Sequence, residues 1–284
     1  MLELYLSVAM TVTRFAPSPT GYLHLGHAHS ALVGWTRARA ESGRFLLRIE
    51  DIDPARCRPE FEAAILEDLA WLGLDWDGPV RRQSDHLADY QAALDRLRDM
   101  GLTYPCFCSR KDIAAAAAAP HGPEGPVYPG TCRGLPADLV RARQEKGDPY
   151  ALRLDVAKAQ ATTGPLNFTD EREGRVEARP ETLGDVVLAR RDAPASYHLC
   201  VTLDDHIQGV TLVTRGVDLF HATHIHRLLQ AILGLNVPTY QHHLLLTNAA
   251  GERLSKRDGA VALRALRQAG RSAAEVRALA GFSD

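Results

Sequence analysis

The sequence lacks several features that define special classes of protein. Its 284 residues contain no apolar run close to the roughly 20 residues that a membrane-spanning helix needs. The 33 Lys and Arg nearly balance the 35 Asp and Glu, so a nucleic-acid partner must meet a local basic face. The first ten residues hold Glu3 and no basic residue, which makes a poor secretory signal, and Met10 is an alternative start to Met1. The five cysteines are an odd number, which argues against a disulfide framework and favours a cytoplasmic protein.

The hydrophobic pattern of the first fifty residues predicts a strand over 12–16, a helix over 28–41 and a second strand over 44–50. Strand, helix and strand within about forty residues predict an α/β fold with a parallel sheet, whose ligands gather at the carboxyl ends of the strands. Further along, the pattern predicts helices over 59–72 and 219–233, strands over 151–156, 185–190 and 242–247, a charged turn over 171–177 and a helical tail over 260–284.

The stretch 13–27 joins the first predicted strand to the first helix through a loop rich in proline and glycine. It ends in His24-Leu-Gly-His27, which opens the helix. Two imidazoles at a helix N-terminus, beside a glycine that lets backbone come close, suit the oxygens of a phosphate. We therefore expect His24, Gly26 and His27 to bind a phosphate-bearing substrate.

A basic segment near the other end of the chain, Arg253-Leu-Ser-Lys-Arg257, complements this motif. Transfer of a nucleotidyl group requires positive charge and hydrogen-bond donors on the pyrophosphate, where negative charge builds. Ser255 and Lys256 supply them from one side, and the two histidines from the other. The segment alone also fits a solvated basic turn, so the prediction of nucleotidyl transfer depends on both motifs.

These two motifs resemble the signatures of one enzyme family. Arg14-Phe-Ala-Pro-Ser-Pro-Thr-Gly with His24-Leu-Gly-His27 resembles the HIGH signature of class I aminoacyl-tRNA synthetases. Arg253-Leu-Ser-Lys-Arg257 resembles their KMSKS loop, with arginines in place of its first lysine and last serine. The glutamyl branch of the family is indicated by Arg48-Ile-Glu50-Asp51-Ile-Asp53 and by Tyr197…Asp204-Asp205…Thr214-Arg215-Gly216. The resemblance covers residues 11–259.

The resemblance implies a fold, a division into domains and a nucleotide. The fold is a Rossmann-type α/β catalytic core with a small zinc-bearing insertion. Residues 11–101 and 185–259 form the two halves of the core, 102–184 the insertion, and 260–284 a short helical tail. The nucleotide is ATP with Mg²⁺, so that His24, His27 and Lys256 become the expected catalytic residues.

An amino-acid substrate gives roles to charged residues near the predicted strand ends. Its ammonium group needs a carboxylate, and a glutamate side chain needs a guanidinium, which binds carboxylate bidentately. Glu50 therefore suits the ammonium, and Arg14 and Arg215 suit the anion. An ion pair between Glu50 and Arg215 at the surface is the structural alternative. The resemblance adds three further residues to this glutamate pocket: Ala16, Ser18 and Tyr197.

Three cysteines are spaced to share a metal ion. Cys106 and Cys108 are followed after a loop by Cys132, and zinc prefers four ligands with thiolates dominant. The short members of the family pair Cys-x-Cys with Tyr-x-x-x-Cys, which implies Tyr128 as the fourth ligand. His121 is the chemical rival, because imidazole binds zinc far more commonly than tyrosine does. Buried free thiols are the alternative to a metal site.

A second set of histidines, His221, His224 and His226, falls in the predicted helix over 219–233. At helical spacing the first two share a face and the third does so less well. We therefore expect a partly polar helix in this region, in preference to a metal site.

The length of the chain leads to an expectation about the acceptor of the glutamyl group. Glutamyl-tRNA synthetases carry a long helical anticodon-binding region after the KMSKS loop, whereas this sequence ends 27 residues after Arg257. It thereby resembles short glutamyl-queuosine paralogues, which attach glutamate to the queuosine base in the anticodon of tRNA(Asp). The expected partners of a monomeric enzyme are then ATP, L-glutamate and the tRNA(Asp) anticodon stem-loop. The alternatives are a compact or truncated glutamyl-tRNA synthetase that charges the 3′ end, a small-molecule adenylyltransferase and a silent RNA-binding module.

Overall fold

The computed structural model describes residues 10–109, 111–113, 127–247 and 261–282. The strands are β1 Val12–Phe15, β2 Arg44–Ile49, β3 Arg81–Arg82, β4 Thr103–Cys106, β5 Ala151–Leu154, β6 Asn167–Asp170, β7 Gly174–Glu177, β8 Val187–Arg190, β9 Leu212–Gly216 and β10 Thr239–His243. Two adjoining sheets form the centre, with the strand orders β1–β2–β3 and β7–β6–β10–β9. Their neighbours are parallel except for β6 and β7, which form an antiparallel hairpin. The α/β fold with a parallel sheet is therefore confirmed.

The helices of the described chain pack around these strands. They are α1 Leu25–Ala40, α2 Pro59–Trp71, α3 Leu87–Asp99, α4 Ala137–Glu145, α5 Val156–Thr163, α6 Tyr197–Ile207, α7 Thr223–Leu233, α8 Leu263–Gln268 and α9 Ala273–Leu279. One hydrophobic core joins α3, α6 and α7, and another joins α1, α2 and β2 with the two C-terminal helices. Within the described residues, none of the helices combines the length and the apolar character that crossing a bilayer demands.

A glycine lets helix α1 approach three strands at once. A Cβ atom on Gly34 would lie 2.8 Å from Thr214 Oγ1 in β9 and 3.3 Å from the ring of Phe45 in β2. From β1, the hydroxyl of Thr13 donates to the carbonyl of Gly34 at 2.8 Å. Any side chain at this position would therefore push the helix away from the sheet, and with it the N-terminus of α1.

Strands β1 and β9 lie side by side at the point where the strand order reverses. The amide of Thr211 donates to the carbonyl of Val12 at 3.0 Å, and the amide of Val12 donates to Thr211 Oγ1 at 2.8 Å. From here β2 and β3 extend in one direction, and β10 and β6 in the other. The carboxyl ends of β1 and β9 therefore flank a crevice, which is where open α/β sheets bind their ligands.

The remaining strands β4, β5 and β8 form a separate antiparallel sheet. Strands β6 and β7 fall within 102–184 but join the central strands, while β8 falls within 185–259 and pairs with β5. Strand pairing thus crosses the expected boundary between residues 184 and 185. The division of the chain into domains stays a prediction.

The C-terminal helices close over the start of α1. The amide of Leu263 donates to the carbonyl of Leu23 at 2.8 Å, and Ala262 forms a β-bridge with His24. Leu263 is fully buried. The predicted helical tail, as far as it is described, therefore supports the segment that carries the two histidines.

The other predicted elements are present with shifted bounds, but the range of the last strand and the turn over 171–177 were predicted wrongly. The last strand is Thr239–His243 rather than 242–247, and Gly174–Glu177 is a strand rather than part of a turn. The buried residues of β10 are Tyr240 and His242. Because they are not a run of apolar residues, the hydrophobic pattern does not predict this strand. Helix α1 begins at Leu25, ahead of the predicted start, because His24 caps it.

Candidate active site

A cavity of about 340 Å³ lies at the carboxyl ends of β1 and β9. It is bounded by the loop after β1, the N-terminus of α1, the end of β2 and the start of α6. Around it lie all candidate residues for glutamate and ATP within the described chain: Arg14, Ala16, Ser18, His24, Gly26, His27, Glu50, Tyr197 and Arg215. Ser255 and Lys256 lie outside the described residues. The structure thus brings the described candidates together, and their roles stay predictions.

The two histidines form the cap of helix α1. His24 Nδ1 accepts a hydrogen bond from the amide of Gly26 at 3.1 Å, and His27 Nδ1 accepts one from the amide of His24 at 3.2 Å. Their ring centroids are 3.8 Å apart. Because Nδ1 of each neutral ring is an acceptor here, the proton lies on Nε2, which is a donor atom. Two imidazole donors therefore stand at the positive end of a helix, as a phosphate site requires.

A buried network of charges forms one wall of the cavity. Arg14 Nε lies 3.0 Å and Arg48 Nη1 2.8 Å from Oδ1 of Asp205, and Arg48 Nη2 donates to Glu50 Oε1 at 3.2 Å. Burial opposes ionisation of Asp205, but the charges of Arg14 and Arg48 outweigh burial, so the pKa of Asp205 is lowered. At Glu50 burial dominates over Arg48 and Arg14 and raises the pKa. A substrate ammonium beside Glu50 would favour its ionised form.

Arg215 lies at the end of β9 and is only 4% exposed. Its Nε donates to His242 Nε2 at 3.1 Å, its Nη1 donates to His226 Nδ1 at 3.2 Å, and its Nη2 donates to Thr223 Oγ1. The ion pairs found among the described residues include none to Arg215. The alternative of a surface pair between Arg215 and Glu50 is therefore wrong, because both are buried and Glu50 pairs elsewhere.

The groups around Arg215 are neutral. Burial, together with the nearby Arg215, lowers the pKa of His242 to about 4, and the same causes hold the pKa of His226 well below its usual value. Tyr197 Oη lies 3.4 Å from Arg215 Nη1, and burial raises the pKa of this phenol. None of the three compensates the charge of the guanidinium at neutral pH. A carboxylate entering the cavity would meet that charge in a buried site, where the attraction is strong.

Sequence reasoning missed the residues that hold Arg215. The sequence before His242 has few apolar residues and gives no sign of a buried strand. The contact follows from the parallel register of β9 and β10, which sets His242 opposite Arg215. The three histidines of the predicted helix, of which His224 and His226 lie in α7, make different contacts. The rings of His221 and His224 lie 5.6 Å apart, whereas His226 contacts Arg215. The predicted helix over 219–233 thus has a buried polar face in contact with the cavity wall.

The three candidate cysteines converge on one point. The Sγ atoms of Cys106, Cys108 and Cys132 lie within 4.8 Å of one another, and those of Cys108 and Cys132 are 3.5 Å apart. Tyr128 Oη lies 4.0 Å from Cys108 Sγ and accepts the amide of Cys132 at 2.7 Å. Three thiol groups at such separations are compatible with a tetrahedral zinc ion, whose bonds to sulfur are about 2.3 Å. His121 lies outside the described residues.

Comparisons with known proteins identify relatives of this chain. A family model described as the catalytic domain of class I tRNA synthetases (E and Q) matches residues 10–277. A glutamyl-Q tRNA(Asp) synthetase of Rhodobacter capsulatus is 55% identical over 281 residues, which cover 95% of this chain and 100% of that protein. A glutamate–tRNA ligase of Aquifex aeolicus is 38% identical over 259 residues, 91% of this chain and 54% of that protein.

A solved structure gives the same result for the fold. The crystal structure of a glutamate–tRNA synthetase from Elizabethkingia anophelis superposes with a TM-score of 0.75 at 30% identity. The match covers 88% of this chain and 53% of that one. The chain therefore spans about half the length of the glutamate–tRNA synthetases named here, and the whole length of the Rhodobacter protein.

Proposed function

This chain belongs to the family of class I tRNA synthetases for glutamate and glutamine, and on that premise we propose that it transfers glutamate to the queuosine base of tRNA(Asp). Members of this family are aminoacyl-tRNA synthetases, which are ligases. The proposal has two steps. L-Glutamate is first activated by ATP, and the glutamyl group then passes to the anticodon stem-loop of tRNA(Asp). We further propose that the enzyme acts as a monomer in the cytoplasm.

In the first step the α-carboxylate of glutamate attacks the α-phosphorus of ATP in line, and pyrophosphate leaves. No protein nucleophile is required, so positioning and electrostatic stabilisation account for the rate. His24 and His27 donate from Nε2 to phosphate oxygens, and the N-terminus of α1 adds partial positive charge. Mg²⁺ enters as part of the substrate, bound to ATP, and offsets phosphate charge.

Ser255 and Lys256 would act on the pyrophosphate from the opposite side. Both lie outside the described residues, so support comes from the described residues that flank them. Leu246 lines the cavity, and Ala262 is bridged to His24. The described residues on either side of the segment therefore lie at the cavity and at the histidine motif.

The observation that carries the proposal is the pairing pattern of the buried arginines. Arg14 is matched by Asp205, whereas Arg215 is surrounded by neutral partners in the described chain. A substrate carboxylate supplies the missing negative charge, and Glu50 supplies a carboxylate for the substrate ammonium. A zwitterion with a second carboxylate, such as glutamate, fits this distribution of charge.

The acceptor would reach the activated glutamate through a second cavity. This space of about 400 Å³ shares Ser18, Thr20, Glu50 and Tyr197 with the first cavity. In the second step a hydroxyl of the queuosine cyclopentene ring attacks the acyl carbon of the adenylate. The new ester bond forms as AMP leaves with the electron pair of the broken acyl–phosphate bond.

The cysteine cluster would hold one structural zinc ion through Cys106, Cys108, Tyr128 and Cys132. When bound, zinc would cross-link β4 to the segment around residue 130. The charge of the ion favours deprotonated ligands. Already without it, hydrogen bonds from Tyr128 and the nearby Arg153 outweigh burial and lower the pKa of Cys106.

Labelled glutamate distinguishes the proposed acceptor from the 3′ end. The protein is incubated with ATP and one of four RNAs: tRNA(Asp) containing queuosine, the same tRNA without its 3′-terminal nucleotides, the queuosine-containing anticodon stem-loop, and a tRNA(Asp) transcript with guanosine in place of queuosine. We expect label on the first three and none on the fourth. Glutamate-dependent ATP–pyrophosphate exchange should proceed without any RNA.

Two other results would reject the proposal. Label that is lost with the 3′ end, or that appears on the guanosine transcript, means an ordinary glutamyl-tRNA synthetase, which the likeness to the Aquifex ligase keeps as the second candidate. Absence of exchange and of label on every RNA would also reject the proposal, and would leave an ordinary synthetase for another tRNA, an adenylyltransferase for another small molecule and a silent RNA-binding module.

A further inference from the structure

A continuous row of buried polar groups runs behind the cavity, with Arg215 at its centre. On one side Asp170 Oδ2 lies 2.7 Å from His242 Nδ1, and His242 Nε2 lies 3.1 Å from Arg215 Nε. On the other side Arg215 Nη1 lies 3.2 Å from His226 Nδ1, and His226 Nε2 lies 3.2 Å from His198 Nδ1. The row therefore crosses from β6 through β10 and β9 to α7 and α6.

The hydrogen-bond chemistry fixes the protonation of both rings that contact Arg215. A guanidinium has donors and no acceptor, so His242 Nε2 and His226 Nδ1 must each present a lone pair to it. The proton of His242 then lies on Nδ1, where the carboxylate of Asp170 accepts it. The proton of His226 lies on Nε2, where it is donated to His198. Each imidazole is thus a neutral acceptor toward Arg215, held in one tautomer by the group behind it.

Burial keeps the two imidazole rings neutral, whereas Asp170 behind His242 is an ionised carboxylate. His226 and His242 are each 2% exposed, and Asp170 is 1% exposed. Protonating either ring would place a second positive charge against the buried Arg215, and would remove the acceptor. The pKa directions of both rings agree with this geometry, since burial and Arg215 lower them.

We propose that His226 and His242 are positioning residues for substrate selection: as fixed neutral acceptors they aim the guanidinium of Arg215 while leaving its charge to the side-chain carboxylate of the amino acid. An acidic partner in their place would orient Arg215 equally well but would neutralise it. This design selects a glutamate over a glutamine side chain, because only the former brings the compensating charge. The inference rests on the proposed activation of glutamate.

Three substitutions at one position separate orientation from charge. H226N places an amide oxygen near the position of Nδ1 and so keeps a neutral acceptor. H226D has nearly the same shape but carries a negative charge, and H226L has no acceptor at all. The readout is ATP–pyrophosphate exchange with glutamate varied at saturating ATP, and with ATP varied at saturating glutamate.

We expect the KM for glutamate to stay within about threefold in H226N, and to rise about tenfold or more in H226L, because a hydrogen bond to a charged group is lost. The KM for glutamate should be about ten times or more higher in H226D than in H226N, because the introduced carboxylate competes with that of the substrate. The KM for ATP should remain within about twofold throughout. H224L is the control, since His224 is a buried histidine of the same helix whose Nδ1 accepts from the amide of Arg179 and not from Arg215.

The outcomes are distinct. Equal KM values for glutamate in H226N and H226D overturn the role of neutrality, and equal values in H226N and H226L overturn the role of the acceptor. A parallel rise of the KM for ATP, or an equal effect of H224L, means general damage to the helix and also overturns the inference. If the unsubstituted protein shows no glutamate-dependent exchange, the proposed function itself fails, and the inference with it.

Discussion

The guanidinium of Arg14 and the carboxylate of Asp205 form a buried ion pair, with Nε and Oδ1 3.0 Å apart. Arg14 lies at the end of β1, and Asp205 lies on α6, so the pair joins two elements that are distant in sequence. The side chains are 5% and 9% exposed. Asp205 also receives Arg48, which is fully buried. Asp205 is therefore the carboxylate that pairs with Arg14, and it shares Arg48 with Glu50.

Replacement of this carboxylate should destabilise the fold strongly. D205N keeps the shape of the side chain but removes the carboxylate that pairs with Arg14, and breaking a buried ion pair in this way costs about 3–5 kcal/mol. Urea unfolding followed by circular dichroism measures the loss. D53N is the matched control, because Asp53 pairs with Arg56, whose side chain is 72% exposed, and such pairs contribute about 1 kcal/mol or less. Similar losses in both variants would contradict the assignment.

Substitution of Arg215 should weaken the binding of glutamate and leave the binding of ATP unchanged. R215K keeps a positive charge but loses the planar fork that holds His226, His242 and a carboxylate together, so the KM for glutamate should rise about tenfold or more. R215Q also removes the charge and should raise the KM for glutamate further. Pyrophosphate exchange measures both effects. R37Q is the control, because Arg37 pairs with Glu171 on the surface. An unchanged KM for glutamate in R215Q would refute the assignment of Arg215.

The candidate site could be predicted where chemistry and topology coincide. Arg14, Glu50 and Arg215 lie at or next to the carboxyl ends of strands, and the carboxyl ends of parallel strands meet at one edge of a sheet. The motif His24-Leu-Gly-His27 could be placed at the start of a helix because it lies within a few residues of the helical pattern. These residues line one cavity. The order of the strands was the only long-range information needed to predict that they would lie close together.

The partners of Arg215 could not be predicted in the same way. His242 reaches Arg215 through the register of β9 with β10, and the sequence prediction had placed the last strand three residues too late. His226 contacts Arg215 through the packing of α7 on the sheet. Polar residues that are buried by tertiary contacts carry no hydrophobic period, so their sequence resembles that of a solvated helix or loop.

The buried histidines should make the protein sensitive to acid. Burial, with Arg215, lowers the pKa of His198 to about 4, against 6.5 for an ordinary histidine, and His242 behaves alike. Between these values the unfolded chain takes up protons that the folded protein does not, so the free energy of unfolding falls as the pH drops from about 6.5 to about 4. Asp170, whose pKa is lowered through its hydrogen bond to His242 against the effect of burial, loses its contribution only as the pH falls below about 4.

Unfolding by urea at pH 7 and pH 5 measures this loss. H198Q should reduce it by roughly 1–2 kcal/mol, because one group that gains a proton on unfolding is removed. H86Q, at a histidine with 37% of its side chain exposed, should leave the loss unchanged. A loss that is equal in all three proteins would show that other groups cause the acid sensitivity.

The proposed zinc site can be tested together with the choice of its fourth ligand. C132S should abolish zinc binding, since it removes one of three thiolates. If Tyr128 is the ligand, Y128F should speed the release of zinc to a chelator, whereas H121A should release zinc as the unsubstituted protein does. Zinc content by atomic spectroscopy and release followed with a chromogenic chelator are the measurements. Rapid release from H121A and slow release from Y128F would instead assign His121.

Asp68 is a buried carboxyl group whose ionisation destabilises the fold. It lies on α2 with no exposed surface, and neither carboxylate oxygen has a hydrogen-bond partner among the described residues. Its nearest cation, Arg267 of α8, is 3.9 Å away and is closer to the exposed Glu67, at 2.9 Å. Burial raises the pKa of Asp68 to about 6, and Arg267 only partly opposes this.

Because this folded pKa lies above the ordinary value of 3.8, the carboxyl group is protonated more readily in the folded protein, and its ionisation destabilises the fold as the pH rises from about 4 through 6. D68N cannot ionise. Relative to the unsubstituted protein, its free energy of unfolding should therefore increase by roughly 1–3 kcal/mol more at pH 7.5 than at pH 4.5. Urea unfolding at the two pH values measures the difference. E67Q, which alters the exposed partner of the same arginine, should show no such pH dependence, and a pH-independent effect of D68N would mean that Asp68 is already neutral or solvated at pH 7.5.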